Sequence, residues 1–280
     1  MTNSKELFNE LVGRITLPEE VSEIQHIVFL LLSHVYQLTY TEILAGKPIQ
    51  VQDKSALNAM IDRINQHEPI QYITGEASFY GRIFQVNPAV LIPRPETELL
   101  VEAICVAARS NPEPKTILDI GTGSGCLAVS LALELPNTQV YAVDISQQAL
   151  ECAQKNARTL HASVTFQQLD ILKEEISGTF DLIVSNPPYI SQQEKSVMRK
   201  NVLDFEPHVA LFAPGDDALL FYQTIAEKAK RALKPNGSLW FEINEHFGSE
   251  IADILKASGY NSIRLFQDLD KKDRMISARI

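Results

Sequence analysis

Apolar residues recur at helical spacing through the first part of the chain. Leu7 and Leu11 lie one turn apart, and a longer series of the same spacing follows, made of Val21, Ile24, Val28, Leu31, Leu32 and Val35. Side chains repeated every three or four residues lie on one face of a helix. Asp53 is placed to cap a further helix that carries Leu57 and Ile61. The pattern predicts a small all-α domain over residues 1–75.

The pattern changes to strands after this helical region. Residues 76–92 are rich in β-forming side chains and are interrupted by Gly81 and Asn87-Pro88, which predicts a β-hairpin inside a linker of residues 76–95. A helical run from Leu99 to Ala108 comes next. Beyond it, apolar strands alternate with helices, and the strands are expected at 116–120, 139–143, 164–167, 181–185, 238–243, 262–266 and 275–280. Repeated βα units imply an α/β fold with a mainly parallel, doubly wound sheet.

Composition and charge narrow the class of protein. The 280 residues are 45% hydrophobic and 21% charged, which is ordinary for a globular protein and excludes a disordered one. The net charge of −10 argues against a large duplex-binding surface, because phosphates are bound by clustered Lys and Arg. The three cysteines have neither metal-site nor redox spacing. We therefore expect free thiols in a reducing cytoplasm and no metal site.

Signals for export or membrane insertion are not found in the sequence. The first residues lack the basic segment and apolar stretch of a signal peptide. The longest apolar run, Ile27 to Leu32, is too short to cross a bilayer. We therefore predict a cytoplasmic protein without a membrane partner.

The first candidate for binding chemistry is a glycine-rich loop, which reads Asp119-Ile120-Gly121-Thr122-Gly123-Ser124-Gly125. It follows a predicted strand and opens a helix, and its glycines let the backbone turn sharply close to a ligand. A tight turn, an NAD site and an S-adenosylmethionine site all remain open. The NAD fingerprint places its third glycine one position later, where this chain has Cys126. The early glycine favours S-adenosylmethionine, with Asp119 placed to pair with the methionine amino group.

Two further acids stand at the ends of predicted strands. Asp144 ends the strand after the glycine loop, where a carboxylate accepts both ribose hydroxyls of an adenosine cofactor. Its alternative role is to cap the helix that begins after Ser146. Asp170 follows the next strand and is placed to meet the adenine amino group, or else serves as a cap or loop acid.

The element Asn186-Pro187-Pro188-Tyr189 directly follows a buried strand. An amide nitrogen is a poor nucleophile because its lone pair is delocalised. The Asn186 side-chain oxygen and the Pro187 carbonyl can accept the two N–H bonds of such a nitrogen, the prolines stiffen these acceptors, and Tyr189 can stack on a flat group. A simple Pro-Pro turn is the alternative. The residue types favour methylation of a planar amide or amine nitrogen.

Together these segments resemble the HemK-like release factor glutamine methyltransferases, a family of protein-(glutamine-N5) methyltransferases. The resemblance covers nearly the whole chain and rests on four segments, namely Gln71–Glu76, Val90–Glu98, Asp119–Gly125 and Asn186–Tyr189. The last of these by itself is shared with DNA and RNA amino-methyltransferases. The stretch Ile92–Glu98 is far more specific.

The resemblance implies a fold, a reaction and a set of site residues. The fold is a small N-terminal all-α domain, a linking β-hairpin and a Rossmann-like S-adenosylmethionine methyltransferase domain over 96–280. The reaction is N5-methylation of the glutamine in the Gly-Gly-Gln motif of peptide-chain release factors. The implied cofactor-binding residues are Asp119, Gly121, Thr122, Gly123, Ser124, Gly125, Asp144, Asp170, Ile171 and Asn186, and the implied catalytic residues are Asn186, Pro187, Pro188 and Tyr189.

This chain departs from the family pattern at two places. Ile171 stands where the family often has an aromatic residue, so it can pack beside adenine but not stack on it. Glu242-Ile243-Asn244 replaces the more usual Glu-Ile-Gly.

Arg94 and Glu96 are candidates either for the acceptor pocket or for an ion pair and a helix cap, and the structural roles are slightly favoured.

Two other functions compete with protein methylation. A DNA or RNA amino-group methyltransferase, acting on adenine N6 or guanine N2, would use the same active-site element. Residues 1–75 contain five Lys and Arg against nine Asp and Glu, which makes them a poor nucleic-acid clamp and favours a protein substrate that they recognise, without a stable nucleic-acid partner. A non-enzymatic adaptor is disfavoured by the intact Asn186 element.

Overall fold

A computed structural model describes residues 2–50, 54–110, 114–191, 194–195 and 198–280, and the predicted cap Asp53 lies outside these ranges. The chain divides into two compact units. The helical unit consists of Met1–Glu76 together with Arg199–Phe205, and the sheet unit consists of Ala77–Met198 and Glu206–Ile280. No helix in the described ranges is long and apolar enough to cross a membrane.

The helical unit is built around one apolar core. Its first helices are α1 (Ser4–Val12), α2 (Val21–Tyr36), α3 (Tyr40–Leu44), α4 (Lys54–Asn65) and α5 (Ile70–Thr74). Leu11, Val28, Leu31 and Ile43 are fully buried where the apolar faces of these helices meet. Asn3 caps α1 by accepting hydrogen bonds from two backbone N–H groups. The predicted N-terminal helical region is confirmed.

A pair of very short strands in this unit was not predicted. β1 (Thr2–Asn3) pairs antiparallel with β2 (Pro48–Ile49). Two residues are too few to show the alternation of polar and apolar side chains that identifies a strand.

The predicted hairpin is present and consists of β3 (Glu76–Phe79) and β4 (Arg82–Gln85). Tyr80 and Gly81 form its turn with φ of 48° and 71°, and left-handed conformations at both central residues are typical of a two-residue hairpin turn. From Ala77 onward the hairpin belongs to the sheet unit. The domain boundaries at 75 and 95 stay a prediction.

A seven-stranded sheet organises the rest of the sheet unit. The following elements are α6 (Pro95–Ser110), β5 (Thr116–Ile120), α7 (Cys126–Glu134), β6 (Gln139–Asp144), α8 (Gln147–Thr159), β7 (Val164–Gln168), β8 (Phe180–Ser185), α9 (Lys200–Phe205, in the helical unit), α10 (His208–Leu211), α11 (Leu220–Ala232), β9 (Leu233–Glu242), α12 (Gly248–Ala257), β10 (Asn261–Gln267) and β11 (Asp273–Arg279). The strand order is β10-β11-β9-β8-β5-β6-β7. β11 is antiparallel to both neighbours, whereas β9, β8, β5, β6 and β7 pair in parallel. The predicted α/β class is confirmed.

Both faces of the sheet are covered. Leu182 and Val184 of β8 pack into the core formed with α6 and α7, and Ile183 between them packs into the core formed with α11 and α12. Strands buried on two faces read as continuous apolar runs. This is why their positions were visible in the sequence.

A half-buried carboxylate joins the amino ends of three strands. Asp181 Oδ2 on β8 accepts hydrogen bonds from the backbone nitrogens of Lys115 and Thr116 at 3.0 and 2.9 Å, and from Thr116 Oγ1 at 2.8 Å. Lys234 Nζ, on β9, donates to the same oxygen at 2.9 Å. We call this group the Asp181 clamp, and it lies at the edge of the sheet opposite the glycine loop.

Two short helices were not predicted. α9 has six residues and α10 has four, so neither offers a full apolar repeat. The segment that carries α9 is part of the helical unit, where Arg199 Nη1 pairs with Glu23 Oε1 at 3.0 Å and with Glu19 Oε2 at 3.6 Å.

Candidate active site

The chain order of the parallel strands reverses between β5 and β8. β6 and β7 lie on one side of this pair and β9 lies on the other. At such a reversal the connections leave the sheet in opposite directions, and a crevice opens beyond the carboxyl ends of the strands. The glycine loop follows β5 and Asn186 follows β8. The topology therefore brings these two predicted elements to one crevice.

A cavity of about 430 Å³ occupies this position. Eight of the predicted site residues line it, namely Gly121, Gly123, Asp144, Asp170, Ile171, Asn186, Pro187 and Pro188. The volume lies within the range of about 300–1,000 Å³ that is usual for small-molecule sites. The remaining predicted residues, Asp119, Thr122, Ser124, Gly125 and Tyr189, lie outside the lining of this cavity.

The glycine loop is shaped by backbone conformations that favour glycine. Gly121, Gly123 and Gly125 have φ of 76°, 54° and 81°. A Cβ added at Gly121 or Gly123 would point into open space, whereas one at Gly125 would lie 3.0 Å from Ala153 Cβ. The first two glycines therefore leave room beside the cavity. The third allows α7 to pack closely on α8.

The other loop residues support the loop from behind. Asp119 is fully buried, and its Oδ2 accepts a hydrogen bond from Thr122 Oγ1 at 2.6 Å. Its Oδ1 is buried and has no hydrogen-bond partner among the described residues. Burial raises the pKa of Asp119 to about 7. Ser124 is buried, and its carbonyl accepts from Asn156 Nδ2 at 2.9 Å.

Asn156 is a site-supporting residue that the sequence did not reveal. Its side chain is 1% exposed. Besides holding Ser124, it accepts from the backbone nitrogen of Gln85 at 2.7 Å and donates to the Gln85 carbonyl at 2.9 Å. The hairpin strand β4 and the glycine loop are thus fastened to one buried amide.

Asp144 is held in place by the backbone around it. Oδ2 accepts from the Gly123 nitrogen and Oδ1 accepts from the Ser146 nitrogen, both at 2.9 Å. Burial raises the pKa of Asp144, and these hydrogen bonds oppose that rise. Each carboxylate oxygen keeps a lone pair for a further donor. The helix-cap role is filled by Ser146, whose Oγ accepts from the Ala149 nitrogen at 3.2 Å.

Asp170 and Ile171 form the turn after β7. Asp170 pairs with Lys173 Nζ at 2.9 Å, and this hydrogen bond lowers the pKa of the Asp170 carboxyl. Ile171 is buried against the cavity, and its carbonyl accepts from Lys228 Nζ at 2.8 Å. Both residues of this turn line the cavity.

Asn186 is connected to two buried residues from distant parts of the sequence. Its Nδ2 donates to Thr97 Oγ1 at 3.3 Å, and Thr97 Oγ1 donates to Glu242 Oε2 at 2.6 Å. Thr97 and Glu242 are each 3% exposed. Since the amide nitrogen of Asn186 is engaged, its Oδ1 is the atom left to accept a hydrogen bond from a ligand. Neither Thr97 nor Glu242 was singled out as a site residue from the sequence.

Tyr189 is partly buried and packs against the core on the α11 side of the sheet. Burial raises the pKa of its hydroxyl, and the nearby Glu242 carboxylate raises it further. Its proposed contact with a flat substrate group stays a prediction.

Arg94 has a structural partner. Arg94 Nη2 donates to Glu206 Oε1 at 2.6 Å, and the other oxygen of Glu206 accepts from the Ile92 nitrogen at 3.2 Å. Glu206 is buried. Glu96 is exposed in the first turn of α6, where an acid stabilises the helix dipole. Arg94 therefore forms an ion pair with Glu206 and not with Glu96, and the helix-cap role of Glu96 stays a prediction.

The comparisons with known proteins bear on the whole chain. Family models for the PrmC N-terminal domain and the Methyltransferase small domain match residues 13–75 and 95–204. A release factor glutamine methyltransferase from Bacteroides thetaiotaomicron is 44% identical over 93% of each chain, and one from Flavobacterium psychrophilum is 43% identical over 91% of each. The chain belongs to the release factor glutamine methyltransferase family. The resemblance seen in four short segments is confirmed, and the family is one of S-adenosylmethionine-dependent enzymes.

Solved structures agree on the fold. A methyltransferase from Pyrococcus furiosus superimposes with a TM-score of 0.54 over 78% of this chain and 96% of that chain, at 19% identity. A 16S rRNA N2 G1207 methyltransferase from Thermus thermophilus gives a TM-score of 0.50 over 73% of this chain and 49% of that one, at 21% identity. The expected Rossmann-like methyltransferase fold is confirmed.

The residues around the cavity fit the cofactor that this family uses. A ribose needs an acceptor, an adenine ring needs apolar walls with a polar edge, and a methionine ammonium needs a carboxylate. Asp144 offers the acceptor, and Leu169 and Ile171 offer apolar wall beside Asp170. Asp119, which lies outside the cavity lining behind the glycine loop, has a buried oxygen without a partner in the described chain. Within the same ranges, no three His, Cys, Asp or Glu side chains are grouped as metal ligands would be.

Several lining residues were not identified from the sequence. Val90 and Leu91 come from the segment after the hairpin, whereas Phe212 and Phe221 come from the region of α10 and α11. They share only apolar character, which the sequence does not distinguish from that of core residues. The three cysteines are free thiols, two of them buried.

Proposed function

We propose that this chain transfers the methyl group of S-adenosylmethionine to the side-chain amide of the glutamine in a release factor's Gly-Gly-Gln motif. The observation that carries the proposal is the Asn186 side chain. The amide nitrogen of Asn186 donates to Thr97, and Asn186 lines the same cavity as the glycine loop and Asp144. Membership of the release factor glutamine methyltransferase family supports the same substrate.

The cofactor assignment follows from the fit of the cavity. Gly121 and Gly123 leave room for the ligand, Asp144 would accept the ribose hydroxyls, and Ile171 with Asp170 would border the adenine. Asp119 lies outside the lining of the cavity, and we assign its buried, unpartnered Oδ1 to the ammonium group. When bound, S-adenosylmethionine supplies an electrophilic methyl group on a sulfonium.

The protein's own contribution is to orient the acceptor nitrogen. We assign the Asn186 Oδ1 atom as acceptor for one N–H of the glutamine amide and the Pro187 carbonyl as acceptor for the other. Two fixed acceptors hold the nitrogen so that its lone pair points at the methyl group, and this removes the need to organise the groups during the reaction. The nitrogen becomes acidic as its bond to the methyl carbon forms and the bond from that carbon to sulfur breaks. Its proton then passes to water, because the two amide-type oxygens that orient the nitrogen are too weakly basic to keep it.

The partner is inferred from charge and from the family. The helical unit carries the net negative charge already noted over residues 1–75, which disfavours nucleic acid. We therefore assign recognition of the release factor to this unit. The predicted location is the cytoplasm, where release factors meet ribosomes.

Mass spectrometry of an intact release factor incubated with the full chain and S-adenosylmethionine tests the proposal. A 14-Da increase on the Gly-Gly-Gln glutamine is expected, as one hydrogen is replaced by a methyl group. A short peptide of the motif should react more slowly, because binding energy from remote contacts is missing. Faster methylation of duplex DNA or of RNA than of the release factor would overturn the proposal in favour of a nucleic-acid amino-methyltransferase.

A further inference from the structure

Two buried residues, Thr97 and Glu242, stand behind Asn186 without contributing to the cavity lining. Ser185 and Phe241 are register partners on the parallel strands β8 and β9, so the next residues, Asn186 and Glu242, emerge side by side at the carboxyl edge. Thr97, near the start of α6, lies between their side chains.

The hydrogen bonds of this group have a direction that is set by charge. An ionised carboxylate only accepts, so Thr97 must donate its single hydroxyl hydrogen to Glu242. Thr97 Oγ1 then has only lone pairs to offer Asn186, and it can bind the amide nitrogen but not the amide oxygen. Asn186 Oδ1 is thereby turned away from Thr97.

We propose that Thr97 and Glu242 are positioning residues that fix which end of the Asn186 amide faces the substrate. The proposal rests on the function assigned above. It explains how Asn186 Oδ1 is kept facing the substrate amide. A rotated amide would present Nδ2 to the glutamine amide, and two donors would then face each other. The chain of contacts Glu242–Thr97–Asn186 excludes that arrangement.

These hydrogen bonds, from Asn186 to Thr97 and from Thr97 to Glu242, keep their direction only while Glu242 is ionised. Burial raises the pKa of the Glu242 carboxyl to about 7, and the Thr97 hydrogen bond opposes the rise. Around Glu242 the charged, titratable or hydrogen-bonding groups are Thr97 and Glu96 from α6, Cys126 from α7, Asn186 and Tyr189 after β8, Tyr222 from α11 and Arg274 from β11. A protonated Glu242 can donate to Thr97, which frees Thr97 to donate to Asn186 Oδ1 and reverses the amide.

Kinetics on the full chain with an intact release factor test the role. Thr97→Val and Glu242→Gln should each lower kcat by about tenfold to hundredfold, the cost of a misplaced reacting group, with little change in KM. Thr97→Ser, which keeps the hydroxyl, should stay near the wild type. Tyr222→Phe is the matched control, because it removes a buried hydrogen bond to the Glu242 backbone carbonyl and leaves the side-chain contacts intact.

The pH profile separates positioning from simple support of the fold. The wild-type kcat should fall as the pH drops through about 7, in line with the pKa of Glu242. Glu242→Gln should lack this acidic limb. An unchanged limb in Glu242→Gln, or a wild-type kcat in Thr97→Val, would overturn the proposal, and circular dichroism would show whether each variant folds.

A nuclear magnetic resonance experiment keeps the test independent of activity on a release factor. In the full chain labelled with ¹⁵N-asparagine, the Asn186 side-chain resonances are identified by their loss in Asn186→Ala. They should shift with pH around 7 in the wild type and not in Glu242→Gln. Absence of a shift overturns the positioning role, whereas an unmodified release factor with the shift present would overturn only the assigned substrate.

Discussion

The Asp144 carboxylate is oriented by the surrounding backbone before any ligand binds. Its two oxygens are already oriented by the nitrogens of Gly123 and Ser146, so no side-chain ordering is needed when a ligand arrives. A ligand that bonds to a preorganised carboxylate retains most of the interaction energy.

Replacement of Asp144 by alanine should weaken binding of S-adenosylmethionine about tenfold to hundredfold, since a hydrogen bond to a charged group contributes roughly 1.5–3 kcal/mol. Isothermal titration calorimetry measures the change. Asp270→Ala removes the same charge at an exposed position in the turn between β10 and β11 and serves as control. Equal affinities for Asp144→Ala and the wild type would exclude the ribose contact.

Replacement of Asn186 by alanine should separate chemistry from binding. Methyl transfer should fall about a hundredfold or more, as on removal of one preorganised polar group. Cofactor affinity should stay within about tenfold, or about 1.4 kcal/mol, because Asp144 and the glycine loop are unchanged. Single-turnover kinetics combined with calorimetry distinguish the two effects, and near-normal turnover would rule out the acceptor role.

At the scale of elements, the glycine loop works through the packing of the helix that follows it. Gly125 lies where α7 approaches α8, and a Cβ there would lie 3.0 Å from Ala153 Cβ and 3.2 Å from Ala153 Cα, closer than ordinary van der Waals contact. Gly125→Ala should therefore lower the free energy of unfolding by about 1–3 kcal/mol more than strain at φ alone, the usual cost of overpacking.

Gly81→Ala is the matched control for that comparison. Gly81 also has a positive φ, of 71°, but a Cβ there would meet no atom within 4 Å. Urea unfolding of the two variants isolates the packing contribution. Equal losses of stability would mean that close helix packing at Gly125 does not matter.

Much of this element structure was readable in the sequence because its causes are local. The strand expected at 116–120 is found at Thr116–Ile120, since Ile117, Leu118 and Ile120 make the segment mainly apolar and a glycine loop ends it directly. The positive φ of the loop is likewise visible locally, because glycine occupies positions 121, 123 and 125. The small helices α9 and α10 carry too few apolar residues to show a period.

The contacts behind the site could not be read in the same way. Thr97 lies 89 positions from Asn186 and 145 positions from Glu242. Their meeting depends on the register of β8 and β9 and on the docking of α6, neither of which a local pattern contains. Asn156 is a similar case, because its partners Gln85 and Ser124 are 71 and 32 positions away.

At the scale of the whole molecule, two buried carboxyls should make stability depend on pH. The pKa values of Asp119 and Glu242 are raised by burial from 3.8 and 4.5 to about 7. Between these values the folded chain holds more protons than the unfolded chain, so the free energy of unfolding should fall as the pH rises. The fall should be on the order of 3 kcal/mol for each group between pH 4 and pH 8.

Urea unfolding at pH 5 and pH 8 measures this dependence. Asp119→Asn and Glu242→Gln should each reduce the difference between the two pH values, and the double variant should reduce it most. A double variant with the full wild-type difference would show that other groups are responsible.

The Asp181 clamp has a consequence for how such a protein can evolve. It fastens the amino ends of β5, β8 and β9, whereas the residues to which we assign ligand binding follow the carboxyl ends of β5 and β8. Mutations that strengthen or weaken the clamp change the stability of the sheet at a distance from the candidate active site. Substitutions at the amino ends of the strands therefore change the stability of the sheet, and substitutions at the carboxyl ends change specificity. The two properties can evolve through separate sets of substitutions.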